Sequence, residues 1–160
     1  MQRIVTTEKA KELRKQLDET EKKIVLAGGC FDILHIGHLT FLESAKQHGE
    51  ILIVLLESDE TIKKSKGPKR PINTQLDRAK LLAALSVVDY VILLDSQMSN
   101  TSYDDLVITL KPAIIATTHG DSNRHHKERQ AQQIGAHVID VIELVSDKST
   151  THVINLLNEL

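Results

Sequence analysis

Two histidines, three residues apart, close the stretch Gly28-Gly29-Cys30-Phe31-Asp32-Ile33-Leu34-His35-Ile36-Gly37-His38, and their type and spacing are suited to chemistry. The apolar run before them, Ile24-Val25-Leu26-Ala27, reads as a buried strand. Beyond them Leu39, Leu42, Ala45 and Lys46 recur at helical spacing, which makes the segment a strand, a glycine turn and a helix. Glycine lets the backbone approach a ligand closely, and a helix amino end presents unpaired N–H groups and positive dipole. With the helix beginning near Ile36, both imidazoles share one side of its first turn. Two ring N–H donors above such an end make a site for a polyanion, and nucleotide phosphate is the natural one.

Residues of this kind need a frame that brings them to one open edge. A first helix over Glu8 to Asp18, capped by Thr6 or Thr7, carries Ala10, Leu13 and Leu17 on one face, which packs on the sheet or on a partner subunit. Strands are expected at Ile24 to Ala27, Ile51 to Leu56, Asp89 to Leu94, Ala113 to Thr117 and His137 to Ile142. Helices are expected at Gly37 to Gln47, Glu60 to Lys64 (capped by Asp59), from Asn73 or Thr74 onward, at Tyr103 to Leu110 (capped by Thr101 or Ser102), at Lys127 to Ile134 and at Ser149 to Leu157. Such alternation predicts one Rossmann-like α/β domain over 1–160, with a five-stranded parallel sheet and helices on both faces. Residues 1–22 form its N-terminal helix and 23–160 its catalytic core. Ligands in such sheets lie beyond the carboxyl ends of the strands, and the polar clusters follow strands. They are the histidine loop, the basic loop Lys63 to Pro71, Thr118-His119-Gly120-Asp121 and Asp147 to Thr151.

Composition narrows the function. The 160 residues suffice for one core without disulfides, and the formal net charge of −2 gives no sign of a general nucleic-acid or membrane-surface binder. One cysteine, Cys30, cannot form an internal disulfide and fits a reducing cytoplasm. Tryptophan is absent, so base-stacking platforms are not expected. Met1 to Glu21 is charged and helical in pattern, without the apolar h-region of a signal peptide, and no apolar run approaches membrane-spanning length, so neither a leader nor a span is expected. His119, His125 and His126 lack the cysteine or acidic partners of a zinc site, so no protein-held metal is expected.

His35-Ile36-Gly37-His38, with Gly29 to Leu34 before it, resembles the His-x-Gly-His signature of the nucleotidyltransferase superfamily. The resemblance implies attack of an acceptor phosphate oxygen on the α-phosphorus of a nucleoside triphosphate, with loss of pyrophosphate. It makes His35, His38, Lys46, Ser149 and Thr150 the catalytic candidates, and Gly29, Cys30, Phe31, Asp32, Lys66, Arg70, Arg78, Gly120, Asp121 and Thr151 the nucleotide-binding ones. Magnesium would enter with the triphosphate, ATP or else CTP, because this ion keeps waters and takes few protein ligands. A homodimer is implied by the family's habit and suggested by the apolar face of the first helix.

Across nearly the whole chain the likeness is to the bacterial heptose 1-phosphate adenylyltransferases, through Ser58-Asp59, Lys66-Gly67, Arg70-Pro71-Ile72-Asn73, Arg78, Val88-Asp89-Tyr90-Val91, Leu110-Lys111-Pro112 and Ser149-Thr150-Thr151. Glycerol 3-phosphate cytidylyltransferases usually place an arginine just before the last motif, where this chain reads Glu143-Leu144-Val145-Ser146. That favours adenylyl transfer. Two departures bear on the acceptor: Thr118-His119-Gly120-Asp121-Ser122 replaces Lys-Gly-Gly-Asp-Tyr, and Gly28 stands where an asparagine is usual. Glycerol phosphate, another sugar phosphate or flavin mononucleotide therefore remain alternatives. A nicotinamide dehydrogenase is disfavoured because the turn lacks Gly-x-Gly-x-x-Gly. A non-catalytic nucleotide sensor is the competing class, and retention of His35, His38, Lys46 and Ser149-Thr150 weighs against it.

Overall fold

In the computed structural model, which describes residues 3–96 and 98–142, six strands form one sheet: β1 (Ile4–Thr6), β2 (Ile24–Gly29), β3 (Ile51–Leu56), β4 (Tyr90–Leu93), β5 (Ile114–Thr118) and β6 (His137–Ile142). Their order is β1-β4-β3-β2-β5-β6, and every pairing is parallel. The expected five-stranded sheet therefore gains a sixth member. That member is β1, whose three residues lie along β4 with Ile4 opposite Val91 and Thr6 opposite Leu93. So short an edge strand carries no periodicity of its own, and its hydrogen bonds come from a segment far along the chain.

A 3-10 turn at Thr7–Lys9 leads into α1 (Ala10–Asp18), so the first helix begins two residues later than its sequence suggests and has no side-chain cap. The other helices are α2 (Ile36–Lys46), α3 (Asp59–Lys66), α4 (Gln75–Ala84), α5 (Asn100–Leu110) and α6 (Arg124–Ile134). Ser58, Thr74 and Ser99 cap α3, α4 and α5 by accepting from the N–H groups of Thr61, Asp77 and Ser102. Thr74 is as expected; the caps placed at Asp59 and at Thr101 or Ser102 are displaced by one to three residues. The expected last helix lies outside the described residues.

Strand side chains alternate between the two faces, so each face collects its own core. On one, Leu13 and Leu17 of α1, Leu106 and Leu110 of α5 and Ala131 of α6 pack with Leu26, Ile53 and Ile92. On the other, Phe41 and Leu42 of α2 and Ala79 and Leu82 of α4 pack with Val25, Val54 and Val91. The apolar face of α1 is thus covered within the chain and does not await a partner subunit. β2 sits where the strand order reverses, between β3 and β5. A crevice opens at such a switch point beyond the carboxyl ends of the strands, and the histidine loop leaves β2 there.

Candidate active site

β2 delivers the chain to the crevice, and the glycine turn shapes its floor. A Cβ on Gly29 would come within 2.9 Å of the Phe31 ring, so only glycine fits without displacing it. Phe31 takes a left-handed backbone (φ 45°) and is 4% exposed. This conformation is unfavourable for a bulky residue, and it tucks the ring beneath His38 with centroids 5.1 Å apart. His35 is the N-cap of α2 and returns no side-chain hydrogen bond to the first turn; its carbonyl accepts from the His38 and Leu39 amides, which leaves the Ile36 and Gly37 amides at the helix end for a ligand. Its ring stacks on His38 with centroids 3.8 Å apart. Burial lowers both imidazoles, His38 to about 4, with the neighbouring His35 and the Lys66 ammonium adding to the effect and a backbone hydrogen bond at Ile33 opposing it. The neutral form of both rings is favoured near pH 7; the His38 ring already donates to the Ile33 backbone, and phosphate oxygens that draw its pKa back up would give it a second N–H to donate.

The loop is held by buried polar groups. Asp32, 1% exposed, accepts from Arg70 Nε at 2.6 Å, Ile72 N at 2.8 Å and Asn73 N at 3.0 Å, while Asn73 Nδ2 donates to the Asp32 carbonyl. Burial pushes the Asp32 carboxyl up, but the two amides and the guanidinium outweigh it and hold it below its ordinary value. Arg78, fully buried in α4, donates to the carbonyls of Asn73, Cys30 and Glu57 and to Asp59. Asp32, Arg70 and Arg78 therefore fix the loop to the segment before α4. Asp32 and Arg78 spend most of their hydrogen-bonding capacity on the protein, whereas Arg70 gives its Nε to Asp32 and its buried Nη2 has no hydrogen-bond partner among the described residues.

On the far side, Asp121 accepts from Lys127 Nζ at 2.6 Å, Thr117 Oγ1 at 2.8 Å and Asn123 N at 2.9 Å. Burial raises its pKa, yet these donors win and lower it. Gly120, with φ 77°, makes the turn that precedes it. Together these walls enclose a cleft of about 800 Å³, lined among others by Gly29, Cys30, His35, His38, Lys66 and Asp121. A nucleotide fits a space of that order.

A sequence profile described as cytidylyltransferase-like matches residues 26–156. This chain belongs to the cytidylyltransferase-like family. It is 39% identical over 156 residues to "Bifunctional protein HldE" of Aliarcobacter butzleri (strain RM4018), covering 98% of this chain and 31% of that protein. With the protein of the same name from Campylobacter fetus subsp. fetus (strain 82-40) it shares 40% over 140 residues, 88% of this chain and 29% of the other. The chain thus spans about a third of the length of the curated relatives it matches. Among solved structures, the lipopolysaccharide core biosynthesis protein from Thermoplasma volcanium GSS1 is 30% identical, with TM-score 0.60 over 77% of this chain and 96% of that one. Pantoate-beta-alanine ligase from Francisella tularensis, 15% identical with TM-score 0.69 over 96% of this chain and 73% of that one, shares the fold.

For this cytidylyltransferase-like chain, four described candidates do not line the cleft: Arg70 and Arg78, which support its walls from behind, Gly120, whose turn precedes Asp121, and Lys46, which lies far from it. Lys46 ends α2, about 15 Å of helix away from His35. There its ammonium pairs with Asp89 and donates to the Glu50 carbonyl at 2.6 Å, beside the start of β3. That is the amino edge of the sheet, opposite the ligand edge. Lys66, at the end of α3, is the lysine whose charge reaches His38 and Cys30. Ser149, Thr150 and Thr151 lie outside the described residues. Sequence reasoning missed the pair formed by Glu57 and Tyr103, and also Lys127. Glu57 directly follows β3, a position on the ligand edge that could have flagged it. Among the described residues no group of three or more His, Cys, Asp or Glu side chains is arranged to hold a metal ion, and no helix is long and apolar enough to cross a membrane.

Proposed function

We propose that this chain transfers AMP from ATP to a phosphorylated sugar of the heptose 1-phosphate type and releases pyrophosphate. The observation that carries the reading is the stacked, neutral His35–His38 pair over the open amino end of α2, within a cleft at the switch point. The relatives named HldE and the lipopolysaccharide core biosynthesis protein add weight for a sugar phosphate as acceptor. For the base, the support is the sequence Glu143-Leu144-Val145-Ser146, which lacks the arginine usual in glycerol 3-phosphate cytidylyltransferases.

In this mechanism the ring N–H groups of His35 and His38 donate to the α- and β-phosphates, and the first-turn amides of α2 add partial positive charge. Lys66 supplies a mobile ammonium to the same oxygens. Ser149 and Thr150 hold the β- and γ-phosphates, and Thr151 continues that motif. An acceptor phosphate oxygen forms a bond to the α-phosphorus as the bond to the bridging oxygen breaks, and pyrophosphate leaves with that electron pair. The protein positions the two phosphates and neutralises growing charge. Of the carboxylates that line the cleft, Asp32 and Asp121 are spent on Arg70 and Lys127, which suits a magnesium ion held by the triphosphate more than by the chain. Its chemistry would be to offset phosphate charge. The active form is a homodimer in a cytoplasmic setting.

Pyrophosphate release, measured with ATP and with CTP against heptose 1-phosphate, glycerol 3-phosphate and flavin mononucleotide, tests this. ATP with the sugar phosphate is expected to be fastest. A clear CTP preference would overturn the adenylyl assignment, and triphosphate binding without release from any acceptor would favour the sensor.

A further inference from the structure

Glu57 is not absorbed by the phosphate chemistry. It leaves the carboxyl end of β3 and lines the cleft with Tyr103, whose hydroxyl donates to Oε1 at 3.0 Å and to Oε2 at 2.8 Å. Tyr103 belongs to the first turns of α5, and Leu94, Val107 and Ile115 make the apolar floor beside it. Gly28 leaves that floor open, since a Cβ there would meet nothing closer than 3.8 Å. The cleft has three carboxylates among its described residues. Two are neutralised, Asp32 by Arg70 and Asp121 by Lys127; Glu57 has no ion pair among the described residues.

An unneutralised, half-buried carboxylate repels phosphate, so in a cleft built for a polyanion it must face a part of the ligand that is neutral and donates hydrogen bonds. One phenol proton shared between two oxygens leaves most of the carboxylate's lone pairs unused. Burial raises the Glu57 pKa, against the opposing influence of the Tyr103 hydroxyl and the Arg78 charge, so further donors would be favourable there. Hydroxyl groups supply donors without charge. We propose that Glu57, oriented by Tyr103, accepts hydrogen bonds from the hydroxyls of the acceptor's sugar body and so selects a polyhydroxylated acceptor. This rests on the adenylyltransferase reading above. Tyr103 is a positioning residue in this scheme, and Glu57 is the group that touches substrate.

The test compares wild type, Glu57→Gln and Tyr103→Phe by steady-state kinetics with heptose 1-phosphate and a deoxy analogue. Calorimetric titration with ATP, and with the sugar phosphate in the presence of α,β-methylene-ATP, accompanies it. Hydrogen bonds to a charged group predict a 10- to 100-fold, order-of-magnitude rise in acceptor KM for Glu57→Gln and a smaller one for Tyr103→Phe. The ATP dissociation constant should move less than about twofold, and the preference for the hydroxylated over the deoxy acceptor should fall away. Unchanged acceptor KM and unchanged discrimination, or equal weakening of ATP, would overturn the assignment while the reaction itself stands. Wild type that binds and turns over no sugar phosphate would overturn both.

Discussion

At the scale of single residues, the site depends on keeping two imidazoles close, neutral and facing an anion. His38 is lowered to about 4 by burial, and polyphosphate oxygens beside it would favour the charged ring and draw its pKa back up. Proton NMR of the ring is therefore expected to give a midpoint near 4 in the free protein and a higher one with ATP bound. A free midpoint near 6.5 with no response to ATP would contradict the site. His38→Ala should lower turnover by ~10²–10³ and leave the thermal midpoint nearly unchanged, because the ring lies at the cleft edge of the core. The two lysines make a second contrast. Lys66→Met is expected to reduce turnover with little effect on urea unfolding. Lys46→Met, which removes the partner of Asp89, should cost stability and leave KM for ATP as it was. The reverse pattern would restore Lys46 to the chemistry.

At the scale of elements, the glycine turn and the amino end of α2 hold their shape because Asp32 ties them to residues 70–73. Its pKa is depressed in the folded chain, so this tie contributes stability above the unfolded value of 3.8 and loses it as pH falls through the folded value. Asp32→Asn is expected to be less stable than wild type at pH 6, by about 3–5 kcal/mol if Arg70 is left buried and unpaired. That gap should shrink below pH 3.8; a gap independent of pH would mean the carboxylate charge plays no part. The strand–turn–helix unit was legible because its signals are local: an apolar run, glycines and a helical repeat. The roles of Asp32 and Arg78 were not, since all their partners but Asn73, five residues before Arg78, lie 19 to 48 residues away in sequence. Glu57 and Tyr103, 46 apart, were hidden for the same reason. Cap positions slipped because several neighbouring Ser, Thr and Asp side chains can each serve, and tertiary packing picks one.

At the scale of the whole molecule, parallel pairing places the strand ends, and so the loops that follow them, at one edge. That is why clusters far apart in sequence meet in one cleft while Lys46, at the other end of α2, does not. The alternation of strands and helices revealed this arrangement, and only the three-residue β1, defined by its pairing with β4, escaped it. The edge so formed is proposed to cut a triphosphate between its first and second phosphorus atoms. Parallel reactions with ATP labelled at the α- or the γ-phosphorus, and heptose 1-phosphate as acceptor, test this directly. The α label should appear in the nucleotide-linked sugar and the γ label in pyrophosphate; γ label on the sugar, or inorganic phosphate in place of pyrophosphate, would contradict the account.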